Sequence, residues 1–177
     1  MKKYINFLTV AIITLIFTGC TESDDEFFAT TSVTSSEQIA VSVSGNILNI
    51  TSDFERLLDI NTTNPLDLFL TTKSRKFYFN YSLEKRNDSG QWESFTPDNI
   101  EAILGENLFG GYISGIPTLD ALDSVYEYDT DITLEPGQYR VSFDPRIVSI
   151  TANDAVTVII NTTVVGGSGN DLEFTIN

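Results

Sequence analysis

Histidine is absent from the 177 residues of this chain, and cysteine, methionine and tryptophan occur once each. Without an imidazole there is no Ser-His-Asp or Cys-His nucleophilic centre and no histidine general base. With a single cysteine there is no ordinary zinc site either. Basic residues are scarce: 10 Lys and Arg stand against 25 Asp and Glu, a net charge of −15. Such a polyanion repels phosphate backbones, which argues against nucleic acid as a partner and leaves divalent cations and cationic surfaces as compatible ones. The apolar segment from Ile5 to Phe17 has thirteen residues, short of the roughly 18–20 that a spanning helix needs.

The chemistry left open is that of paired carboxylates, and of metals that take oxygen ligands, such as calcium. No pair of acids stands out by spacing. The chain reads as non-catalytic, with no cofactor.

Lys2 and Lys3 precede the apolar run, the order of a secretory signal that is removed from the mature chain. At its end, Phe17-Thr18-Gly19-Cys20 resembles the lipobox of bacterial lipoprotein precursors, with Phe where Leu is usual. The resemblance implies that Cys20 is lipidated and becomes the mature N-terminus. The run Ser23-Asp24-Asp25-Glu26-Phe27 resembles the acidic export signal of Bacteroidota-type surface lipoproteins. That resemblance implies an outer-membrane protein facing the cell exterior. A solvated acidic tether accounts for the same residues. Anchoring by two or three acyl chains is secure, since each buried methylene contributes about 0.8 kcal/mol.

Three segments follow: a signal over residues 1–19, a Ser/Thr-rich acidic tether over 20–36, and one folded domain over 37–177. Without the signal, 8 basic residues face 25 acidic ones, a net charge of −17. A domain of this length buries roughly two thirds of its unfolded surface around one core.

From Gln38 onward the dominant period is two. Ile39, Val41 and Val43 share a face; so do Leu66, Leu68 and Leu70, and Phe77, Phe79, Tyr81 and Leu83. Asn87-Asp88-Ser89-Gly90 predicts a four-residue hairpin loop into Gln91–Phe95. Tyr126, Tyr128, Thr130, Ile132 and Leu134 oppose Glu127, Asp129, Asp131 and Thr133, and strands are also expected at 139–143, 156–160 and 172–176. Eight or nine half-apolar strands call for two packed antiparallel sheets, an all-β sandwich. Short helical turns are expected at Thr96-Pro97-Asp98 through Leu104, at Pro117–Ser124 and at Asp53–Leu58.

Leu134-Glu135-Pro136-Gly137-Gln138-Tyr139-Arg140-Val141 resembles the L-x-P-G-x-Y-x-V turn of immunoglobulin-like and transthyretin-like sandwiches in secreted bacterial proteins. The resemblance implies that Tyr139 packs at a sandwich corner with its hydroxyl bonded to backbone. It does not specify a function.

Three constellations are candidates for binding. Asp120, Asp123, Asp129 and Asp131 have the carboxylates for calcium but not the EF-hand spacing, and they read better as a solvent-facing stripe. Asp123-Ser124-Val125 resembles a short O-glycosylation acceptor of the same bacterial group. Lys73, Arg75, Lys76, Lys85 and Arg86 suggest either an anion patch or lysines that guard a sheet edge, the second being simpler. Trp92, Phe109 and Tyr112 suit sugar stacking, with the loop 108–117 as the ligand-facing segment, although tryptophan in a sandwich is more often core.

The expectation is a lipid-anchored, surface-exposed, non-catalytic binding or adhesion module for a glycan or protein ligand. The alternative is a structural accessory subunit of an envelope assembly that presents an exposed strand edge.

Overall fold

The computed structural model describes residues 29–60, 64–97, 111–150 and 156–177. In chain order the strands are β1 Thr30–Thr34, β2 Ile39–Ser44, β3 Ile47–Glu55, β4 Leu57–Leu58 and β5 Leu66–Asp67, followed by the helix α1 Leu68–Thr72. Next come β6 Phe77–Arg86, β7 Trp92–Ser94, β8 Tyr112–Gly115, β9 Thr118–Leu119 and β10 Val125–Thr133. The last are β11 Gly137–Phe143, β12 Arg146–Ser149, β13 Thr157–Asn161, β14 Val164–Val165 and β15 Asp171–Ile176.

The expected all-β sandwich forms. The first sheet is ordered β1-β13-β12-β6-β11-β15, with β7 and β8 also paired to β6; the second is β14-β2-β3-β10-β9; β4 and β5 make a separate ribbon. Pairing is antiparallel except for β1 with β13 and β14 with β2. The axis of the first sheet is β6, flanked by β8 and β7 on one side and by β11 on the other. Beyond Asp144-Pro145, β12 continues the flank of β11 along Tyr78 and Phe77, in a shifted register. Pro145 has no N–H for a ladder, which suits it to that break.

Alternation along β6 puts Phe77, Phe79, Tyr81 and Leu83 wholly inside. Across the sandwich, Phe77 meets the Tyr126 ring edge-on at 4.9 Å and Phe79 meets Tyr128 at 5.4 Å, while within the second sheet Phe54 stacks on Tyr126 at 5.1 Å. Edge-to-face contacts of this kind add about 0.5–1.5 kcal/mol each beyond the area they bury. In β10 the expected alternation holds, with Tyr126 and Ile132 buried and Glu127, Asp129 and Asp131 exposed.

Tyr139 forms the corner that its motif implied. The buried ring stacks on Phe174, and its hydroxyl donates to the Glu135 carbonyl oxygen at 2.9 Å. The hairpin at 87–90 is also as expected: the Asn87 side-chain oxygen accepts the N–H groups of Ser89 and Gln91.

Several expectations are corrected. The folded unit begins upstream of 37, because Thr30–Thr34, inside the expected tether, pairs with Thr157–Asn161. Only Val33 in that strand packs on the core, so there is no apolar alternation to read, although Thr and Val favour extended backbone. Leu66, Leu68 and Leu70 do not share a strand face. Asp67 caps α1 by accepting the Leu70 N–H at 2.9 Å, which leaves Leu68 buried and Leu70 exposed. The turn expected at 53–58 is strand, since β3 pairs through Glu55 with Val125 and Phe54 is held in the aromatic core. At 117–124 a short strand and a turn replace the helical turn, with Thr118–Leu119 paired to β10. The helix expected from Thr96 to Leu104 falls, from residue 98 on, outside the described residues.

Gly115 sits where a Cβ would come within 2.5 Å of the Phe79 ring. Gly115→Ala is expected to cost about 1–3 kcal/mol by overpacking, read as a lower midpoint in chemical denaturation. Burial also pushes the phenols of Tyr81 and Tyr128 up, and that of Tyr126 up to about 12. Phenols of the unfolded chain ionise near pH 10. The folded state therefore keeps these protons longer, and the stability that Tyr126 contributes is intact below about pH 10 and is lost as pH rises through about 12. The denaturation midpoint should fall across that window.

Candidate functional site

Directly opposed residues of paired strands point to the same face, so the register lays the outward side chains of the first sheet in rows. One row runs Tyr112, Ser82, Ser142, Asp171. On one side of it lies Ser94, Glu84, Arg140, Glu173; on the other lie Ser114 and Asn80. Trp92, opposite Arg86, belongs to the same face.

Asn80, Ser82, Tyr112, Ser142, Phe143 and Asp144 enclose an open depression of about 440 Å³. Small hydroxyls make its floor, and Tyr112, 57% exposed, stands at its wall. Ser114 Oγ donates to Asn80 Oδ1 at 2.7 Å, which fixes the amide and leaves its nitrogen outside that bond. The Asp144 carboxylate is taken by Arg146, which donates from Nε at 2.8 Å and from Nη2 at 2.6 Å. This pairing raises the Arg146 guanidinium above its ordinary value. The arrangement can hydrogen-bond a polyhydroxylated ligand and stack one apolar face of it on Tyr112.

The sequence-predicted residues divide. Tyr112 lies at the depression. Trp92 is half-buried on β7, with the Arg140 guanidinium carbon 4.9 Å and that of Arg86 5.9 Å from its ring centroid. Its ring is a partner for cations of the protein itself rather than a bare platform. Along β6 the two aromatics are four residues apart, roughly 13 Å, and a smaller opening of about 180 Å³ lies beside Trp92. Phe109 lies outside the described residues, as do Cys20, Ser23, Asp24, Asp25 and Glu26.

The five basic residues do not form a patch. Lys73 ends α1 in a left-handed conformation, and Arg75 covers Phe69 and donates to the Leu119 carbonyl. Lys85, over the Tyr139 ring, and Arg86 lie at the far end of β6, about 30 Å away along a strand. Since β6 is central, Lys85 and Arg86 do not guard a sheet edge either. Among the acids, Asp129 and Asp131 both accept from Asn49 Nδ2, at 2.7 and 2.9 Å, while Asp120 and Asp123 belong to the turn before β10. Among the described residues no three His, Cys, Asp or Glu side chains cluster as metal ligands would.

Sequence reasoning missed Asn80, Ser82, Ser142 and Asp144. Their outward position was readable from the alternation, but their convergence depends on β6 lying between β8 and β11. No protein-family model matches the chain, and neither a curated protein nor a solved structure matches it.

Trp92 is the only tryptophan, so its fluorescence reports this face alone. Arg140→Ala is expected to shift the emission to the red by uncovering the indole. The accompanying loss of stability should be about 1 kcal/mol or less, because the Arg140–Glu84 pair is partly exposed.

Proposed function

We propose that this chain is a lipid-anchored outer-membrane lipoprotein facing the cell exterior, and that its sandwich is a non-catalytic module that binds a neutral glycan on the outer face of the first sheet. The observation that carries the binding reading is Tyr112, more than half exposed beside a depression floored by Ser82, Ser142 and Asn80. A pyranose offers the matching chemistry: C–H groups for the ring and hydroxyls for the serines and the amide. The anchoring reading rests on Cys20 and the acids that follow it.

The binding test is a glycan array probed with the purified protein. Tyr112→Ala is expected to weaken the bound sugar about tenfold, the effect of one lost stacking contact, with no change in denaturation midpoint. Binding that is indifferent to Tyr112 and to Ser142→Tyr, which fills the depression, would overturn the reading. Protease shaving of intact cells, with a periplasmic protein as control, tests the location. The domain should disappear while the control survives.

One observation favours the accessory-subunit reading. Among the described residues β11 is the only strand that pairs with β15, and beyond the bridge from Asp171 to Ser168 the other side of β15 is an open edge over residues 172–176. A stoichiometric partner retained in mild detergent, and released by a proline placed at Glu173, would move that reading ahead.

A further inference from the structure

Three exposed leucines gather at one end of the sandwich: Leu57, 54% exposed, on β4; Leu70, 56%, on α1; and Leu122, 98%, in the turn before β10. Backbone bonds place these segments side by side. The Arg56 N–H donates to the Ser124 carbonyl at 2.7 Å, and the Arg56 carbonyl accepts the Leu68 N–H at 2.9 Å. Burying such tips inside the protein would need a partner segment, and no described segment covers them.

The described chain also enters at this end. Thr157 N–H donates to the Ala29 carbonyl, Val158 N–H donates to Ser149 Oγ, and Ile150 N–H donates to the Lys76 carbonyl. Ser74 Oγ donates to the Ile150 carbonyl, and the Tyr126 hydroxyl to the Ser74 carbonyl. Ala29, the 120–124 turn and the β4–β5 ribbon therefore share one pole. The turns at Gly45 and Asn87–Gly90, with the C-terminal residue of β15, are at the other.

Between Cys20 and Ala29 the chain reaches at most about 30 Å, while the ten residues of β6 alone span about 33 Å. If Cys20 carries the acyl chains, the leucine-bearing pole reaches the bilayer, and the opposite pole does so only if the connecting segment doubles back along the whole domain. Exposed charges of both signs surround the leucines, with Lys73, Arg75 and Lys76 against Glu55, Asp59, Asp120 and Asp123. Net attraction to anionic lipid is not available there, and apolar tips entering the interfacial layer are.

We propose that this pole docks on the surface of the bilayer that holds the anchor, with Leu57, Leu70 and Leu122 seated in its interfacial layer, so that the domain stands on the membrane instead of riding free above it. The inference rests on the lipidation of Cys20 and adds an orientation to it.

The test uses the full acylated chain in phosphatidylcholine vesicles. Its native thiol is consumed by lipidation, so a cysteine introduced by Ala121→Cys, or at the far pole by Ser89→Cys, takes a fluorophore uniquely. Lipids with a nitroxide near the headgroup should quench the label at 121 several-fold more than the label at 89. The serine variant at 57, 70 and 122 should bring quenching at 121 down to the level at 89 with the fold intact by denaturation midpoint. Vesicles that float with the protein, yet quench both labels equally and weakly, would overturn the docking and leave the anchor standing. Quenching at 121 that survives the three serines would overturn the role of the leucines. Protein that fails to float with the vesicles would overturn the anchor, and the docking with it.

Discussion

Everything in this molecule is arranged around the inward face of β6. Four consecutive inward positions, Phe77, Phe79, Tyr81 and Leu83, are fully enclosed, and the strand is paired on both flanks along most of its length. Three of these are aromatic, so the space between the sheets is set by ring-on-ring contact. Phe54 and Tyr126 close around Phe77, Tyr128 meets Phe79, and Phe143 lies against Tyr81 at 5.8 Å. Some sheet positions beside these rings have to be small. Gly115 occupies the one that faces Phe79 on the neighbouring strand, and that lets β8 come close enough to carry Tyr112 to the edge of the depression.

The same constraint explains how the strands change sheets. The chain passes from the first sheet to the second between β1 and β2, between β8 and β9, and between β13 and β14. Two of these corners are tied to each other: the N–H groups of Glu37 and Gln38 donate to the hydroxyls of Thr163 and Thr162, both at 2.9 Å. Threonine suits such a corner because it favours extended backbone and its hydroxyl satisfies an N–H that has left its ladder. Corners of this kind close the ends of the sandwich without long connections.

What was legible in the sequence was what period two writes directly. The faces of β2, β6, β10, β11 and β15 follow from alternation, and the hairpin at 87–90 and the Tyr139 corner follow from turn chemistry. Where the reading failed, a local signal had two meanings that only tertiary contacts separate. Leu66-Asp67-Leu68-Phe69-Leu70 alternates like a strand, but Asp67 is also a helix cap, and its carboxyl is held below the usual range chiefly by the Arg56 hydrogen bonds. Asp53–Leu58 carries helix-compatible residues, but Phe54 is committed to the core. Thr30–Thr34 has one apolar residue in five and becomes a strand because β13 offers it an edge. The site was half legible for a related reason. Exposed aromatics are visible as residue types, and Tyr112 is one, whereas a floor of two serines and an asparagine from different strands has no signature until the pairing is known.

The geometry also sets how anchoring and binding would coexist. Tyr112 stands level with Ser82, six residues along β6 from Lys76, which lies at the pole where the chain enters. At about 3.4 Å per residue that puts the depression roughly 20 Å from that pole, on the flank of the sandwich and not on its tip. A ligand held there lies against a face parallel to the strands. With the entry pole on the bilayer, that face stands upright, clear of the headgroups and open to the side. A module of this shape would meet a ligand that approaches laterally along the cell surface. If the domain were free on its connecting segment, the same face would sweep all directions, and ordering it would add to the entropy that binding must overcome. If the leucine-bearing pole docks and the Tyr112 face binds, restricting the first pre-organises the second.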